Sequence, residues 1–262
     1  MGLRGPKPEM INEDAMLSCS QDSDYWCGIL ATEGCIGFGA GRSVPLIRYG
    51  AVDIEHVYKF RDFLGSKRNV QLVDRMTGLG QCKYGLFAVA NLAIGDFLIK
   101  NGITPKKSFT LRVSDRLAKS PDQWRGAIDG DGSVCFNQDR KGSRCVTLAG
   151  CSLQYIEQFA QFCFDIGLDP CISLRRPVLG QVNGYSVSFA GDQCIELVTL
   201  LYGNKRVSLD RKQAKANQIM ALSPSGHLRH ATHGPRRVRY SAGLVQKDFE
   251  VIGRTAVPIC VQ

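Results

Sequence analysis

The two tryptophans of this chain, Trp26 and Trp124, open the same short pattern 98 residues apart. The first copy reads Trp26-Cys27-Gly28-Ile29-Leu30-Ala31-Thr32-Glu33-Gly34, and the second Trp124-Arg125-Gly126-Ala127-Ile128-Asp129-Gly130-Asp131-Gly132. Trp, Gly, a branched aliphatic residue, an acid and a closing Gly fall in register, as do Phe38 and Phe136 beyond them. A repeat with a period of about 100 residues means that one αβ unit is duplicated within a single polypeptide. In each copy a helix of small residues runs into a carboxylate. That arrangement brings two acids together on a twofold axis.

The order of elements repeats as well. Residues 25–32 read as a helix stopped by Gly34, followed by strands at 35–41 and 46–52. Residues 53–64 carry apolar side chains at helical spacing, with Asp53 as cap and Gly65 as stop. Strands at 69–76 and 84–90 and a helix at 92–100 close the unit. In the second half a helix at 123–130 leads to strands at 134–138 and 144–149. A helix at 153–166, strands at 171–175 and 185–189, and a helix at 193–202 follow, ending at Gly203. Each half is αββαββα. Segregated runs of this kind predict an α+β fold rather than a parallel sheet.

The expected divisions are an N-terminal extension at 1–20, a first unit at 21–112, a second at 113–222 and a basic tail at 223–262. Residues 105–121, rich in Lys, Arg and Ser, connect the units. Past Met220 the periodicity ends, and residues 221–262 hold six Lys or Arg against two acids, with prolines at 224, 235 and 258. This composition predicts a loosely structured tail.

With 262 residues, 44% of them apolar, the chain is long enough for a real core. It has no apolar run of about 18 residues, so no membrane span is expected. The polar start, Met1-Gly2-Leu3-Arg4-Gly5-Pro6, lacks an apolar signal core, and Pro6 stands where a myristoylation site has Ser or Thr. The expected location is the cytoplasm. A net charge of +9 points to a polyanionic partner. Eleven cysteines form no C-x-x-C pair, and those inside apolar stretches, such as Cys27, Cys163 and Cys194, read as core residues of a reducing compartment. His227, His230 and His233 have zinc-like spacing, but they lie in a proline-interrupted tail and read as non-ligands. Gly37, Gly39 and Gly41 are too closely spaced for a dinucleotide loop. Self-splicing is not expected of a chain that opens on Met1 and closes on Cys260-Val261-Gln262.

An acid in the last turn of a helix is opposed by the macrodipole at a cost of roughly 0.3–1 kcal/mol. Glu33 and Asp131 both accept that cost, and each is followed by Gly. Gly28 and Thr32 in one helix, and Gly126 and Gly130 in the other, are four residues apart and make narrow faces on which two backbones can approach. Packed together, these faces set Glu33 beside Asp131. Adjacent carboxylates share a proton or bind cations. With a polyanionic partner, oxygen-ligated Mg²⁺ (or Mn²⁺) is the expected cofactor, and two such ions clamp the attacking and leaving oxygens of a phosphodiester.

The segment Trp124 to Gly132 resembles the LAGLIDADG motif, and Trp26 to Gly34 resembles a more divergent copy of it. The chain is similar to a single-chain LAGLIDADG homing endonuclease over about 200 residues, the extent of two αββαββα units. The resemblance implies saddle-shaped DNA-binding sheets packed through the motif helices. It also implies a monomeric, metal-dependent endodeoxyribonuclease that hydrolyses both strands of a long specific site, leaving short 3′ overhangs. Glu33 and Asp131 would hold the metals, with the backbone at Gly34 and Gly132. Residues 102–108 and 201–212 are similar to the family's segments after the last helix of each half, which implies that Lys107 and Lys212 act at the cleavage site. The first copy departs from the motif at Ala31-Thr32-Glu33, and Glu is known in the family at the acid position.

Alternation within the strands leaves one solvated face per sheet. Arg42, Arg48, Arg75, Lys83, Asn137, Gln138, Arg140, Lys141, Arg144, Arg175 and Gln181 are the candidates there for contacts to base edges and phosphates. The alternative is a DNA- or RNA-binding protein or maturase on the same fold, without cleavage. A pure binder has no need of two acids. A transcription regulator would need an appended helix-turn-helix, and no such pattern follows Met220.

Overall fold

In a computed structural model, residues 11–39, 43–77, 80–139, 142–175, 184–204, 206–222 and 238–241 are described. The first unit comprises α2 (Gln21–Thr32), β1 (Cys35–Phe38), β2 (Pro45–Ala51), α3 (Ile54–Phe63), β3 (Gln71–Thr77), β4 (Gly80–Ala90) and α4 (Leu92–Lys100). The second comprises α6 (Pro121–Asp131), β5 (Ser133–Asn137), β6 (Ser143–Gly150), α7 (Leu153–Asp165), β7 (Cys171–Arg175), β8 (Gly184–Ala190) and α8 (Gly191–Tyr202). The order αββαββα therefore occurs twice, and the fold is α+β.

Local chemistry sets the helix starts. Ser20 and Ser120 cap the two motif helices by accepting from the N–H groups of Ser23 and Gln123, and Pro121 occupies the first turn of α6. Asn91 and Ser152 cap α4 and α7 in the same way. Asp53 makes no capping bond; its carboxylate pairs with Arg211 at 3.1 Å.

The first sheet has the order β1-β2-β4-β3 with antiparallel pairs throughout. Its inner face carries Ile36, Ile47, Phe87 and Val89 against α3. The second sheet has the order β5-β6-β8-β7-β9, with Val134, Val146, Leu148, Val187 and Phe189 inward. The repeat extends into both cores. Trp26 packs against His56, Phe60 and Phe63 of α3, with ring centroids 4.9–6.0 Å apart. Trp124 packs against Tyr155, Phe159 and Phe162 of α7, at 5.1–6.2 Å. The tryptophans thus anchor each motif helix to its own unit, an aromatic attachment that adds directional packing to area burial.

Several short elements depart from the sequence expectation. Residues expected as an extension contain α1 (Glu13–Leu17), whose Met16 is fully buried and whose cap is Asn12. The connector folds into a 3-10 turn (Lys107–Phe109) and α5 (Asp115–Ala118). A further helix, α9 (Asp210–Met220), follows α8. In the tail, expected to be loose, β9 (Arg239–Tyr240) pairs parallel to β7, with Arg239 bound to Asp169 at 2.6 Å and Tyr240 to Glu157 at 2.9 Å. Apart from α9, these elements have two to five residues, too few to show a period, so tertiary contacts decide them. The three tail histidines lie outside the described residues. Among the described residues no helix is long and apolar enough to cross a membrane.

Candidate active site at the motif helix pair

The helices α2 and α6 pack backbone to backbone. A Cβ added at Gly28 would lie 2.7 Å from Ala127 N and 2.9 Å from Gly126 Cα, and would overlap the Gln123 carbonyl. One added at Gly126 would strike the Tyr25 carbonyl and come to 3.0 Å from Ile29 N. At Gly130 it would collide with the Thr32 hydroxyl and reach 3.4 Å from the Glu33 Cγ. Gly28, Thr32, Gly126 and Gly130 therefore all lie in one contact. The lack of a side chain at the three glycines sets the approach of the two helices.

That approach brings the acids to one end of the pair. Glu33 is the C-cap of α2, and Asp131 is the last residue of α6. Both residues are exposed at the surface. The protein around their carboxyl groups nonetheless holds both above the usual carboxylate range. For Glu33 the cause is burial and then the Asp131 charge, opposed by Lys212, Lys107 and Arg75. For Asp131 it is burial, opposed by Lys107 and Lys212.

Two lysines close the site from beneath. Lys107 is 8% exposed and donates to the Gly34 carbonyl, and it lines a cavity of 160 Å³ together with Thr32, Asp131, Ser152 and Tyr155. Lys212, in the first turn of α9, is 3% exposed. Its ammonium donates to the carbonyls of Ile128 at 2.6 Å and of Asp129 and Gly132 at 2.8 Å. Each lysine donates to backbone carbonyl oxygen at the C-terminal end of its own unit's motif helix and supplies the charge that the macrodipole favours there. This offsets the unfavourable placement of the acids. Burial lowers both lysines, Lys212 to about 8, with Asp129 opposing the shift at Lys212. The carbonyl oxygens of Gly34 and Gly132, the backbone expected at the metal, accept from these ammoniums. A second cation on the same oxygen would meet a buried like charge.

The oxygen chemistry of the site fits a hard divalent cation. Burial holds the two carboxyls above their usual range despite the nearby lysines, and a cation between them would favour their ionised forms. Among the described residues there is no cluster of three or more His, Cys, Asp or Glu side chains that could hold a metal. The donors available are thus the two acids, with water and substrate oxygens to complete the shell. This suits Mg²⁺, which keeps several waters.

The DNA-binding candidates divide by register. Arg48 pairs with Cys35 and Ala88, and Arg75 with Cys82, on the face turned away from α3. Arg75 also lies over the Tyr84 ring at 5.1 Å. Lys83, opposite Asp74, shares the parity of Phe87 and Val89 and so belongs to the other face. Arg144 is likewise displaced: it has the parity of Val146 and Leu148, and its guanidinium binds Asp192 at 2.9 Å and the Gly191 carbonyl at 2.9 Å. Charge alone cannot reveal which parity a residue near a strand end has, nor that a partner waits across the sheet. Asn137 and Gln138 are exposed at the end of β5. Arg42, Arg140, Lys141 and Gln181 lie outside the described residues, and only the backbone of Arg175 is described.

A buried polar chain crosses the helix pair and was not anticipated. The Asp129 carboxylate, 3% exposed, accepts from the hydroxyls of Tyr25 and Tyr202 and from Leu209 N–H, each at 2.8 Å. Because Tyr25 donates to Asp129, it accepts from Nε2 of His56 at 2.6 Å, and Tyr49 donates to Nδ1 at 2.6 Å. This direction of donation assigns the His56 proton to Nε2. The available signal was Asp129 itself, a second acid on the apolar face of its helix.

Burial lowers His56 from its ordinary 6.5 to about 4. Below pH 6.5 the unfolded chain takes up a proton that the folded chain refuses, so stability present above 6.5 is lost as pH falls toward 4. At 1.36 kcal/mol per unit the loss is about 3 kcal/mol. Urea unfolding of the wild type and of His56→Gln is expected to show the wild-type advantage shrinking by that amount from pH 7 to pH 4. A difference that stays constant with pH would exclude it.

Among solved structures, the chain is similar to the homing endonuclease I-WcaI bound to its DNA recognition sequence. Identity is 10% and the TM-score 0.56, over 81% of this chain and 95% of that one. The fold is that of the LAGLIDADG homing endonucleases. The I-LtrWI LAGLIDADG homing endonuclease bound to target DNA is similar at 11% identity and a TM-score of 0.46, over 80% of this chain and 91% of that one. Mesophilic variants of the homing endonuclease I-DmoI are similar at 13% identity and a TM-score of 0.46, over 74% and 98%. No protein-family model and no curated protein sequence matches the chain. At such identities the likeness is one of fold. The two helices that carry the repeated sequence are α2 and α6, which run into Glu33 and Asp131.

Proposed function

We propose that this chain is a monomeric, site-specific DNA endonuclease that hydrolyses both strands with a divalent metal, Mg²⁺ or Mn²⁺. The observation that carries the reading is the convergence of Glu33 and Asp131 beside two buried lysines, with one acid and one lysine from each copy of a duplicated unit. The neighbour I-WcaI, bound to its DNA recognition sequence, supports DNA as the partner. Duplication supplies two half-sites, so a second copy of the chain is not required.

Glu33 and Asp131 would hold the metal, which when bound supplies water activation and neutralises the scissile phosphate. The chain's own residues do the rest. The small-residue contact of α2 and α6 fixes the separation of the two acids. Lys107 and Lys212 set a positive charge where charge develops on the phosphate in the transition state. Arg48, Arg75, Asn137 and Gln138 lie on or beside the sheet faces that would meet the duplex. Arginine and amide side chains there suit base-edge reading, with phosphate contacts for register.

Incubating the full chain with a randomised duplex library, with Mg²⁺ or with EDTA, tests the reading. Recovery of one long cut site only with Mg²⁺ is expected. Retention of a specific duplex without any cut strand would favour a binding protein on the same fold.

The lysines give a finer test. Lys107→Met and Lys212→Met are each expected to slow cleavage by about 10²–10³, the scale for losing one electrostatic contact to the transition state. Each should act on a different strand, because each lysine belongs to a different unit. Strand-resolved single-turnover kinetics decide this. Equal losses on both strands that fade at high salt would mark both as ordinary phosphate contacts.

A further inference from the structure

We infer that Asp129 and Arg125, one turn apart on α6, form a clamp that positions Lys212, and that the first unit has no equivalent of it. The catalytic consequence of this clamp rests on the endonuclease reading; the clamp itself does not.

Both residues are 3% exposed, and both bind the segment that joins α8 to α9. Arg125 donates through Nε to the Val207 carbonyl at 3.1 Å and through Nη1 to the Leu201 carbonyl at 3.1 Å, while its charge is met by Asp122 at 2.6 Å. Asp129 takes the Tyr202 hydroxyl and the Leu209 N–H, both at 2.8 Å. Four points at 201, 202, 207 and 209 are thus held from one helix. Leu209 is the residue at which α9 begins, and its carbonyl accepts from Lys212 N–H at 2.9 Å. Holding Leu209 therefore sets the start of α9, and with it the side chain one turn later. That side chain is Lys212, whose ammonium returns to the carbonyls of Ile128, Asp129 and Gly132.

The first unit is built differently. The residues that correspond to Arg125 and Asp129, 98 positions earlier, are Cys27 and Ala31, which cannot offer a charged hydrogen bond. Lys107 instead enters on a 3-10 turn behind Lys106, whose φ of 57° lies in the left-handed region. The first unit contributes to the other side of the clamp. Tyr25, under the Arg125 guanidinium at 5.1 Å, supplies the third donor to Asp129. Lys59 reaches the Ser208 carbonyl at 3.2 Å and Asp210 at 2.5 Å. Hydrogen bonds to charged groups in a low-dielectric interior are the strong ones, and losing one partner leaves the rest uncompensated. Asp129 and Arg125 are positioning residues, since their contacts are to the frame of Lys212 and to no substrate.

The test uses the full chain, Asp129→Asn, and the milder Tyr202→Phe, which removes one donor and keeps the ring. Labelling with an amine-reactive acetyl ester, resolved by peptide mass, reads how far Lys212 and Lys107 are sequestered. In Asp129→Asn the Lys212 rate is expected to rise about tenfold or more, the scale of one lost bond to a charged group, with a smaller rise in Tyr202→Phe. The Lys107 rate should be unchanged in both. On the duplex that the full chain selects from a randomised library, the strand slowed by Asp129→Asn should be the one slowed by Lys212→Met. Equal rises at both lysines would mean general loosening and would overturn the clamp. A selective rise at Lys212 with both strands slowed equally would overturn its catalytic consequence. If the unaltered chain cuts no duplex, the endonuclease reading fails while the labelling still decides the clamp. If Asp129→Asn does not fold, Tyr202→Phe decides it.

Discussion

Glu33→Gln and Asp131→Asn are each expected to abolish double-strand cleavage while leaving DNA binding nearly intact. Each change removes an anionic oxygen that a hard divalent ion requires and leaves the shape of the side chain in place. Binding should persist because phosphate contacts over a long duplex come from the sheet faces, several contacts away from two carboxyls. Losing Asp131 also relieves a repulsion, because its charge helps hold Glu33 above the usual range. Affinity measured with Ca²⁺ in place of Mg²⁺ should stay close to that of the wild type. Gel-resolved cleavage beside such a binding curve is the measurement. Wild-type cleavage by the double variant would end the nuclease reading.

Gly126→Leu should be worse than an active-site change, because it acts on the frame that makes the site. The space for a Cβ at Gly126 is already taken by the Tyr25 carbonyl and the Ile29 amide of α2. Backbone atoms cannot swing aside as a flexible side chain can. The helices must separate, opening the contact that holds Glu33 beside Asp131 and sharing that strain with the Tyr25–Asp129 bond. Overpacking a tight core costs about 1–3 kcal/mol, and a clash with the backbone of a facing helix belongs at or above the top of that range. Gly126→Ala should already lower the melting temperature, and Gly126→Leu should lose both fold and cleavage. Thermal unfolding of the two variants checks this. An unchanged melting temperature for Gly126→Leu would show that the two helix faces are not in contact.

The duplicated motif was legible in the sequence because it obeys local rules. Small residues at four-residue spacing, a Trp at the head and an acid before Gly predict two helices with compact faces, and α2 and α6 have them. The alternating strands and the helix at 92–100 were equally legible, since a period over several residues leaves a strong signal. The acids Glu33 and Asp131 and the lysines Lys107 and Lys212 could be singled out from the motif and its resemblance. Their placement came from the tertiary structure alone. It seated Lys107 and Lys212 on the final carbonyls of the motif helices, and it turned the Gly34 and Gly132 carbonyls toward ammoniums. It also set Arg144 against Asp192 and Lys83 on the inner parity of its sheet. Asp129, Arg125 and His56 acquire their meaning from partners that include residues 31 to 104 positions away, such as Tyr25 for both His56 and Asp129. Periodicity and capping are properties of neighbours along the chain, and a sequence displays them directly. Hydrogen bonding between buried polar groups depends on which distant segments the packed core brings within about 3 Å, and that distance exists only once the chain has folded.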